Sequence, residues 1–266
     1  MYAFQYHRPG SVKEAAALLG KFGDGKALAG GQTLIATMKL RLAQPSDLVD
    51  LGAIAELRGI KVEGDALTIG ALTRHAEVAG SAEVKKRIPA LAVLAGGIGD
   101  RQVRAVGTLG GSVANNDPSA DYPAGVLGLG ATVITTQRKI AADDFFTGMY
   151  ETALKPGELI TAISFPLPKR AAYAKFPNPA SRFAMIGVFV SQAANGAVRV
   201  AVTGTGGGVV RDAALEKALT ANFSPDALAA VKVSAKGLSN DMHASPEYRA
   251  HLIVVMAKRA VAAALG

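Results

Sequence analysis

Residues 98–123 read IGDRQVRAVGTLGGSVANNDPSADYP, and the organisation of the chain follows from this stretch. Gly107, Gly110 and Gly111 bracket Thr108 and Ser112. A backbone with few Cβ atoms and easy access to positive φ wraps closely around an anionic group, and small hydroxyls beside it add donors. Beyond the glycines, Asn115, Asn116, Asp117 and Asp121 are side chains of the kind that hydrogen-bond sugar hydroxyls. Pro118 and Pro123 punctuate an irregular path between them. The order is that of a phosphate cradle followed by a ribose clamp. A glycine-rich surface turn with a solvated acidic tail has the same composition, and this stretch alone does not separate the two.

A second stretch, ALAGGQTLIATMKLRL from Ala27, separates them. Residues 27–29 read as a short buried strand, Gly30 and Gly31 as a tight turn, and Leu34, Ile35, Met38 and Leu42 as the apolar stripe of a helix beginning near Thr33. The first amides of a helix are unpaired and carry the positive end of its dipole, so a phosphate over the turn at Gly30 and Gly31 is favoured. Two such loops can grip one pyrophosphate from both sides.

AGGQTL, followed at a distance by GTLGGS and DPSAD, resembles the FAD-binding medium subunit of the molybdenum hydroxylases, the carbon monoxide dehydrogenase and xanthine dehydrogenase group. The resemblance extends over essentially the whole chain through FFTGMYETALKPGELITAI from Phe145, YAKFPNPASRFAMIGVFV from Tyr173 and EYRAHLIVVMAKRAV from Glu247. It implies an α+β fold, with a two-part FAD-binding domain of the vanillyl-alcohol-oxidase/PCMH type followed by a C-terminal antiparallel sheet with packed helices. Asp100 departs from the family pattern, which leaves its role open.

Composition narrows the function classes. The chain has 266 residues, half of them apolar and 19% charged, with no apolar run of the roughly 18 residues that a membrane span needs. The opening MYAFQYHRPGS lacks a basic region followed by an apolar stretch, so no signal peptide is expected and the expected location is cytoplasmic. With no cysteine, the chain can hold no disulfide, zinc-thiolate site or iron–sulfur cluster, and redox work requires a bound organic cofactor. A net charge of +8 favours anionic ligands or an acidic partner surface. The densest run, Lys85-Lys86-Arg87, has no interleaved aromatics and reads as a solvated helix face, so no nucleic-acid partner is expected.

In chain order, three units are expected: a small N-terminal α/β FAD-binding subdomain at 1–55, a second α/β FAD-binding subdomain at 56–168, and a sheet-plus-helices domain at 169–266. Ser11 with Glu14 forms a capping-box pattern that opens the first helix, and Pro45 is expected to end the second. GKFGDGK at 20–26 mimics a nucleotide-binding P-loop, but it precedes a strand and lacks the hydroxyl residue. The second unit opens with a hairpin about Gly64-Asp65, and Thr73 is expected to cap the following helix. Strands are expected at 131–136 and 140–141, with the stretches at Asp143 and at 156–166 returning to the same sheet. The third unit has strands at 183–192 and 198–203 about an Asn195-Gly196 turn, a glycine-rich turn at 204–208, and helices opened by Ser224-Pro225 and Ser245-Pro246. In the last helix Tyr248, Leu252, Val255 and Met256 are expected to form one apolar face.

No hydrolytic constellation is visible, since the four histidines lie in unrelated contexts without metal spacing and no serine occupies a nucleophile elbow. Neither glycine loop carries a residue for covalent flavin attachment, so the FAD is expected to be non-covalent. The resemblance implies that Ala29, Gly30, Gly31, Gln32, Thr33 and Leu34, with Thr108, Gly110, Gly111 and Ser112, hold the pyrophosphate and nearby flavin chain. It further implies that Asn115 reaches the phosphate–ribose region, that Asp121 accepts from ribose hydroxyls, and that Leu159 or Ile160 packs or hydrogen-bonds at the adenine through backbone groups. Ile98 would lie beside the ring and Lys175 near the isoalloxazine, where a cation stabilises a reduced, anionic flavin. The function implied is an electron-transfer flavoprotein subunit that works with a [2Fe-2S] small subunit and a molybdopterin large subunit in a dimer of heterotrimers, passing electrons to an external acceptor. A self-contained FAD oxidase or reductase, and a non-redox nucleotide-binding scaffold, are the alternatives.

Overall fold

The computed structural model describes residues 1–266. Its first sheet has three parallel strands in the order Gln5–His7, Asp47–Asp50, Lys26–Leu28. Parallel neighbours need crossovers, which the helices Val12–Lys21 and Leu34–Lys39 supply. Ser11 caps the first helix by accepting from the Glu14 amide, whereas Glu14 accepts from Gly10. The second helix ends at Lys39, well before the expected stop at Pro45, because Arg41 takes a left-handed φ of 60° and turns the chain.

The second sheet has five antiparallel strands in the order Ile60–Glu63, Ala66–Gly70, Ile160–Pro166, Thr132–Thr135, Lys139–Ala141. The late strand thus lies at its centre, with Ile163 and Phe165 fully buried. The stretch at Asp143 does not return to this sheet: Ala142–Phe145 is a helical turn, and Phe146–Gly148 pairs with Glu151–Thr152 in a separate ribbon. Thr73 is not the expected cap, because its hydroxyl donates to the Gly59 carbonyl; the helix His75–Gly80 starts instead with the Glu77 carboxylate accepting from the Arg74 amide.

The third sheet runs Arg170–Pro177, Ala184–Gln192, Val198–Thr203, Val210–Arg211, all antiparallel. The helix Pro246–Leu265 crosses it, capped by Ser245, with Leu252, Ile253, Met256, Ala257 and Ala260 buried. Val255 is half-buried and packs against the same core, whereas Tyr248, the fourth residue expected on that face, is exposed. Buried Arg249 on the same helix donates to the carbonyls of Met185 (2.6 Å) and Gly204 (3.0 Å) and to Asp241 (2.7 Å). The helix Ala213–Ala221, capped by Asp212, was not foreseen from the sequence. Every residue of the helix Tyr122–Gly128 is buried, and it shares the main core with Phe189 and Ala201 of the third sheet.

Glu158 joins the long loop before the central strand to the second sheet. Its fully buried carboxylate accepts from Thr135 (2.6 Å), Arg138 (3.1 and 3.2 Å) and the Lys155 amide (2.9 Å). Burial pushes its pKa up, but Arg138, Thr135 and the Lys155 amide together outweigh it and hold the carboxyl down to about 2. A depressed carboxyl contributes stability that is present above pH 4.5 and lost as pH falls through about 2. Glu158→Gln is therefore expected to destabilise the chain by on the order of 2–3 kcal/mol at neutral pH, with the gap to wild type closing between pH 4.5 and 2. Urea unfolding across that window checks it, and a gap that stays constant refutes it.

Candidate functional site

The turn at Gly30 and Gly31 follows the strand Lys26–Leu28, and Gly31 has a φ of +68°. A Cβ at Gly30 would collide with the Val106 carbonyl oxygen and come within 2.7 Å of the Gly107 Cα, so the first glycine loop rests directly on the backbone entering the second. A Cβ at Gly111 would meet Ala29 Cβ at 3.4 Å and Thr108 Oγ1 at 2.8 Å. Ala29, Gly30, Gly107, Thr108 and Gly111 thus form one cluster where the turn after the strand Lys26–Leu28 meets the junction of the helices Arg101–Val106 and Leu109–Asn115. The backbone amides of Gly31, Gln32, Thr33 and Thr108 find no acceptor in the chain, and Gln32 and Thr33 are exposed. Leu34, half-buried, starts the short helix behind them.

Three backbone bonds stitch the second loop to the segment before it: His75 to the Gly107 carbonyl (2.9 Å), Leu109 to Thr73 (3.0 Å) and Gly110 to Ala71 (2.8 Å). Gly110 therefore does not serve the cradle by openness. Its amide is occupied, and a Cβ there would meet Ala71 Cβ at 2.5 Å, so its missing side chain lets the helix Leu109–Asn115 pack on Ala71. Thr108 caps this helix by accepting from the Gly111 amide at 3.2 Å. Ser112 lies half-buried within it and Asn115 half-buried at its last turn. Asn116 is not a sugar ligand: buried in the left-handed conformation, its side chain donates to Gly148 and Glu151 at 2.8 Å each. Asp117 forms a turn, accepting from the Ser119 amide at 2.8 Å. The open question at Asp100 has a local answer, for it caps the helix Arg101–Val106 by accepting from the Val103 amide at 2.8 Å.

Asp121, Lys175 and the turn at residues 97–99 come together at a second centre. Asp121 is buried, with Tyr173 donating its hydroxyl at 2.6 Å and Lys175 Nζ lying 2.9 and 3.1 Å from the two carboxylate oxygens. Burial pushes the Asp121 carboxyl up, against the pull of Lys175 and Tyr173. Lys175 also donates to the carbonyls of Gly97 (2.8 Å) and Arg182 (2.9 Å). Its three hydrogens are matched by three acceptors. Ile98 is half-buried, and Arg104 donates to its carbonyl and to that of Gly99 at 2.8 Å each. Asp121 is thus an ion-pair partner of Lys175, an engagement that the sequence reading of a ribose acceptor did not include.

Leu159 is tied into the fold by its backbone. Its amide donates to Thr136 Oγ1 at 3.2 Å, its carbonyl accepts from the Thr136 amide at 2.9 Å, and its side chain enters the small N-terminal core. Ile160 is buried and paired with Thr135. Of the two expected alternatives, packing or hydrogen bonding through backbone groups, the Leu159 amide is already taken, so Leu159 offers packing rather than a backbone donor. The sequence reading missed Tyr173, whose spacing of two from Lys175 was the available signal, and His75. His75 lies under Gly107, and its ring centroid is 5.2 Å from that of Tyr122.

The cradle that a Cβ would fill and the four unpaired amides fit a pyrophosphate, and comparison with known proteins places the chain. A family model described as the FAD binding domain in molybdopterin dehydrogenase matches residues 2–168. The chain belongs to the FAD-binding medium subunits of the molybdenum hydroxylases. It is 36% identical to the carbon monoxide dehydrogenase medium chain of Hydrogenophaga pseudoflava, an alignment spanning 98% of this chain and 96% of that one. It is 35% identical to the nicotine 6-hydroxylase medium subunit of Paenarthrobacter nicotinovorans, over 97% and 96%. Its structure superposes with a TM-score of 0.91 on a chain of reconstituted carbon monoxide dehydrogenase from Oligotropha carboxidovorans, at 35% identity and covering 99% and 98%. For a medium subunit of this family, the α+β architecture is the expected one.

Two predictions follow from the geometry of this medium subunit. Gly30→Val is expected to abolish FAD binding and lower stability, because rigid backbone blocks its Cβ, whereas Gly111→Ala meets a movable hydroxyl and is expected to weaken FAD by only about 1 kcal/mol. FAD titration of both variants gives the order, and wild-type affinity in Gly30→Val refutes it. The second concerns His75, whose pKa is pulled down to about 4, first by burial and then by Arg104. The unfolded chain takes up this proton near pH 6.5 and the folded chain only near 4, so His75 lowers stability as pH falls through that window. His75→Gln is expected to remove that loss, up to about 3 kcal/mol, in unfolding measurements from pH 7 to 4.

Proposed function

We propose that this chain is the FAD-binding electron-transfer subunit of a heteromeric molybdenum hydroxylase. The observation that carries the reading is the direct contact of the two glycine loops, with the amides of Gly31, Gln32, Thr33 and Thr108 left unpaired beside it. In this reading those amides hold the pyrophosphate, flanked by Ala29, Leu34, Gly111 and Ser112, with Asn115 toward the ribose. Leu159 and Ile160 give the adenine an apolar wall. Ile98 packs beside the ring, and Lys175, held by Asp121, sets a positive charge at its edge. Bound FAD supplies the exchange between one-electron and two-electron chemistry that joins an iron–sulfur donor to an external acceptor.

The division into units at 1–55, 56–168 and 169–266 accords with the three main sheets, the first two flanking the cofactor and the third contributing Lys175 and Tyr173. In this reading the chain works beside a [2Fe-2S] small subunit and a molybdopterin large subunit in a dimer of heterotrimers, as suits a chain similar to proteins named as medium chains. The absence of cysteine agrees with clusters housed elsewhere, and no helix of the chain is long and apolar enough to cross a membrane. A cytoplasmic site of action suits a chain that uses no disulfide.

The purified chain is expected to carry about one FAD that acid precipitation releases, and to oxidise no organic substrate by itself. Affinity purification from native cells should recover iron–sulfur and molybdenum-containing partners whose substrate bleaches the flavin. Rapid turnover by the metal-free chain alone would establish a self-contained oxidase instead.

A further inference from the structure

We propose that Tyr173 is a positioning residue for Lys175: its hydroxyl, seated over Gly187, holds Asp121 in the arrangement that lets Lys175 reach the turn at residues 97–99. Tyr173 and Lys175 are two apart on the strand Arg170–Pro177, so both side chains leave the same face of the sheet. Both arrive at Asp121, the hydroxyl at 2.6 Å and the ammonium at 2.9 Å. Asp121 begins the buried helix Tyr122–Gly128, so the triad joins that helix to the third sheet.

The seat of the hydroxyl is built from a missing side chain. Strand register sets Lys175 opposite Gly187, and a Cβ at Gly187 would fall on the Tyr173 hydroxyl oxygen and within 2.9 Å of Tyr173 Cζ and Thr203 Cγ2. The ring itself stacks against Phe189 at 6.2 Å, packing that phenylalanine would supply equally well. What only tyrosine brings is the hydroxyl, and its hydrogen-bond partner is Asp121. With Tyr173 on one oxygen and Lys175 across both, the buried carboxylate has a single satisfied arrangement. Lys175 then keeps its remaining hydrogens for Gly97 and Arg182. Arg182 offers its carbonyl from a left-handed φ of 62°.

The charged and titratable groups around Asp121 are few. Lys175 and Tyr173 face it from their strand, Tyr122 follows it in its own helix, and His75 packs on Tyr122. Arg104 and Arg182 stand at the turn at residues 97–99. Without the Tyr173 hydroxyl, Asp121 loses a donor to its ionised form and takes up a proton from solvent at higher pH. That proton leaves the Lys175 charge uncompensated.

The proposal rests on the placement of Lys175 at the flavin, and the experiment tests the two separately. The full chain is prepared as wild type, Tyr173→Phe, Gly187→Ala and Lys175→Met, each with and without FAD. In the FAD-free form, reductive methylation of Lys175, followed by mass spectrometry, is expected to accelerate on the order of tenfold in Tyr173→Phe and in Gly187→Ala. In the FAD-bound form, the midpoint potential gives the ratio of affinities for reduced and oxidised cofactor. This ratio is expected to gain a step of about tenfold in favour of the reduced form as pH falls below neutral in those two variants, and no such step in wild type. Wild-type labelling rates together with a wild-type pH profile overturn the proposal. So does a uniform loss of thermal stability and FAD affinity with neither readout changed, which is what packing alone would give. If Lys175→Met leaves the affinity ratio unchanged while labelling still responds to Tyr173→Phe, the positioning stands and the placement of Lys175 at the flavin fails.

Discussion

The structure depends on one close approach, that of the Gly30 main chain to the carbonyl of Val106 and the Cα of Gly107. One loop follows a strand of the first sheet and the other joins two helices, and no side chain can be interposed without separating them. Their contact brings the unpaired amides of residues 31–33 beside that of Thr108, a concentration of donors that an anion satisfies better than water held in the same space. The loop at Gly107 can serve as an abutment because His75, Leu109 and Gly110 are each bonded to neighbouring backbone. The cradle is therefore rigid on one side and open on the other.

Buried charge follows a consistent pattern. Glu158 and Arg249 are each held by several partners, although Arg249 Nε is left without one, and each ties a connecting segment to a sheet. The Asp121–Lys175 pair is more demanding, because both groups are largely withdrawn from water and removing either would strand the other. Its position joins the helix Tyr122–Gly128 of the cofactor-binding region to a strand of the third sheet. The third sheet is thereby joined to the glycine-loop region by a buried ion pair and does not merely cap the fold. A cation held this way lies in a medium where its field is weakly screened, which is the condition for an ammonium to influence a redox group.

Local signals in the sequence were reliable where the physics is local. Ser11, Ser224 and Ser245 cap helices as their spacing indicates, and the strands about Asn195-Gly196 pair as a hairpin, because a cap or a two-residue turn is decided by adjacent residues. The position of Ile160–Pro166 at the centre of the second sheet was not legible, since strand order depends on which apolar faces must cover one another. The helix start at residues 74–75 was misjudged for a similar reason: Thr73 has the chemistry of a cap, but Gly59, distant in sequence, claims its hydroxyl.

The sequence by itself determined that two glycine turns, each opening a short helix, stand in a chain without cysteine, and hence that an organic cofactor with a phosphate group is the natural ligand. Only the tertiary structure decided what each glycine and each polar residue does. Gly30 and Gly111 admit the opposing loop, Gly110 admits Ala71, and Gly187 admits the Tyr173 hydroxyl, yet all four are the same letter in the sequence. Asp121 reads in the sequence as a ribose acceptor beside two prolines, and folding buries it against Lys175 and Tyr173 of a strand more than fifty residues later. The reason is physical: a missing Cβ or a carboxylate acquires its role from what lies within about 3–4 Å, and at these positions that neighbour is fixed by sheet register and packing rather than by adjacent residues.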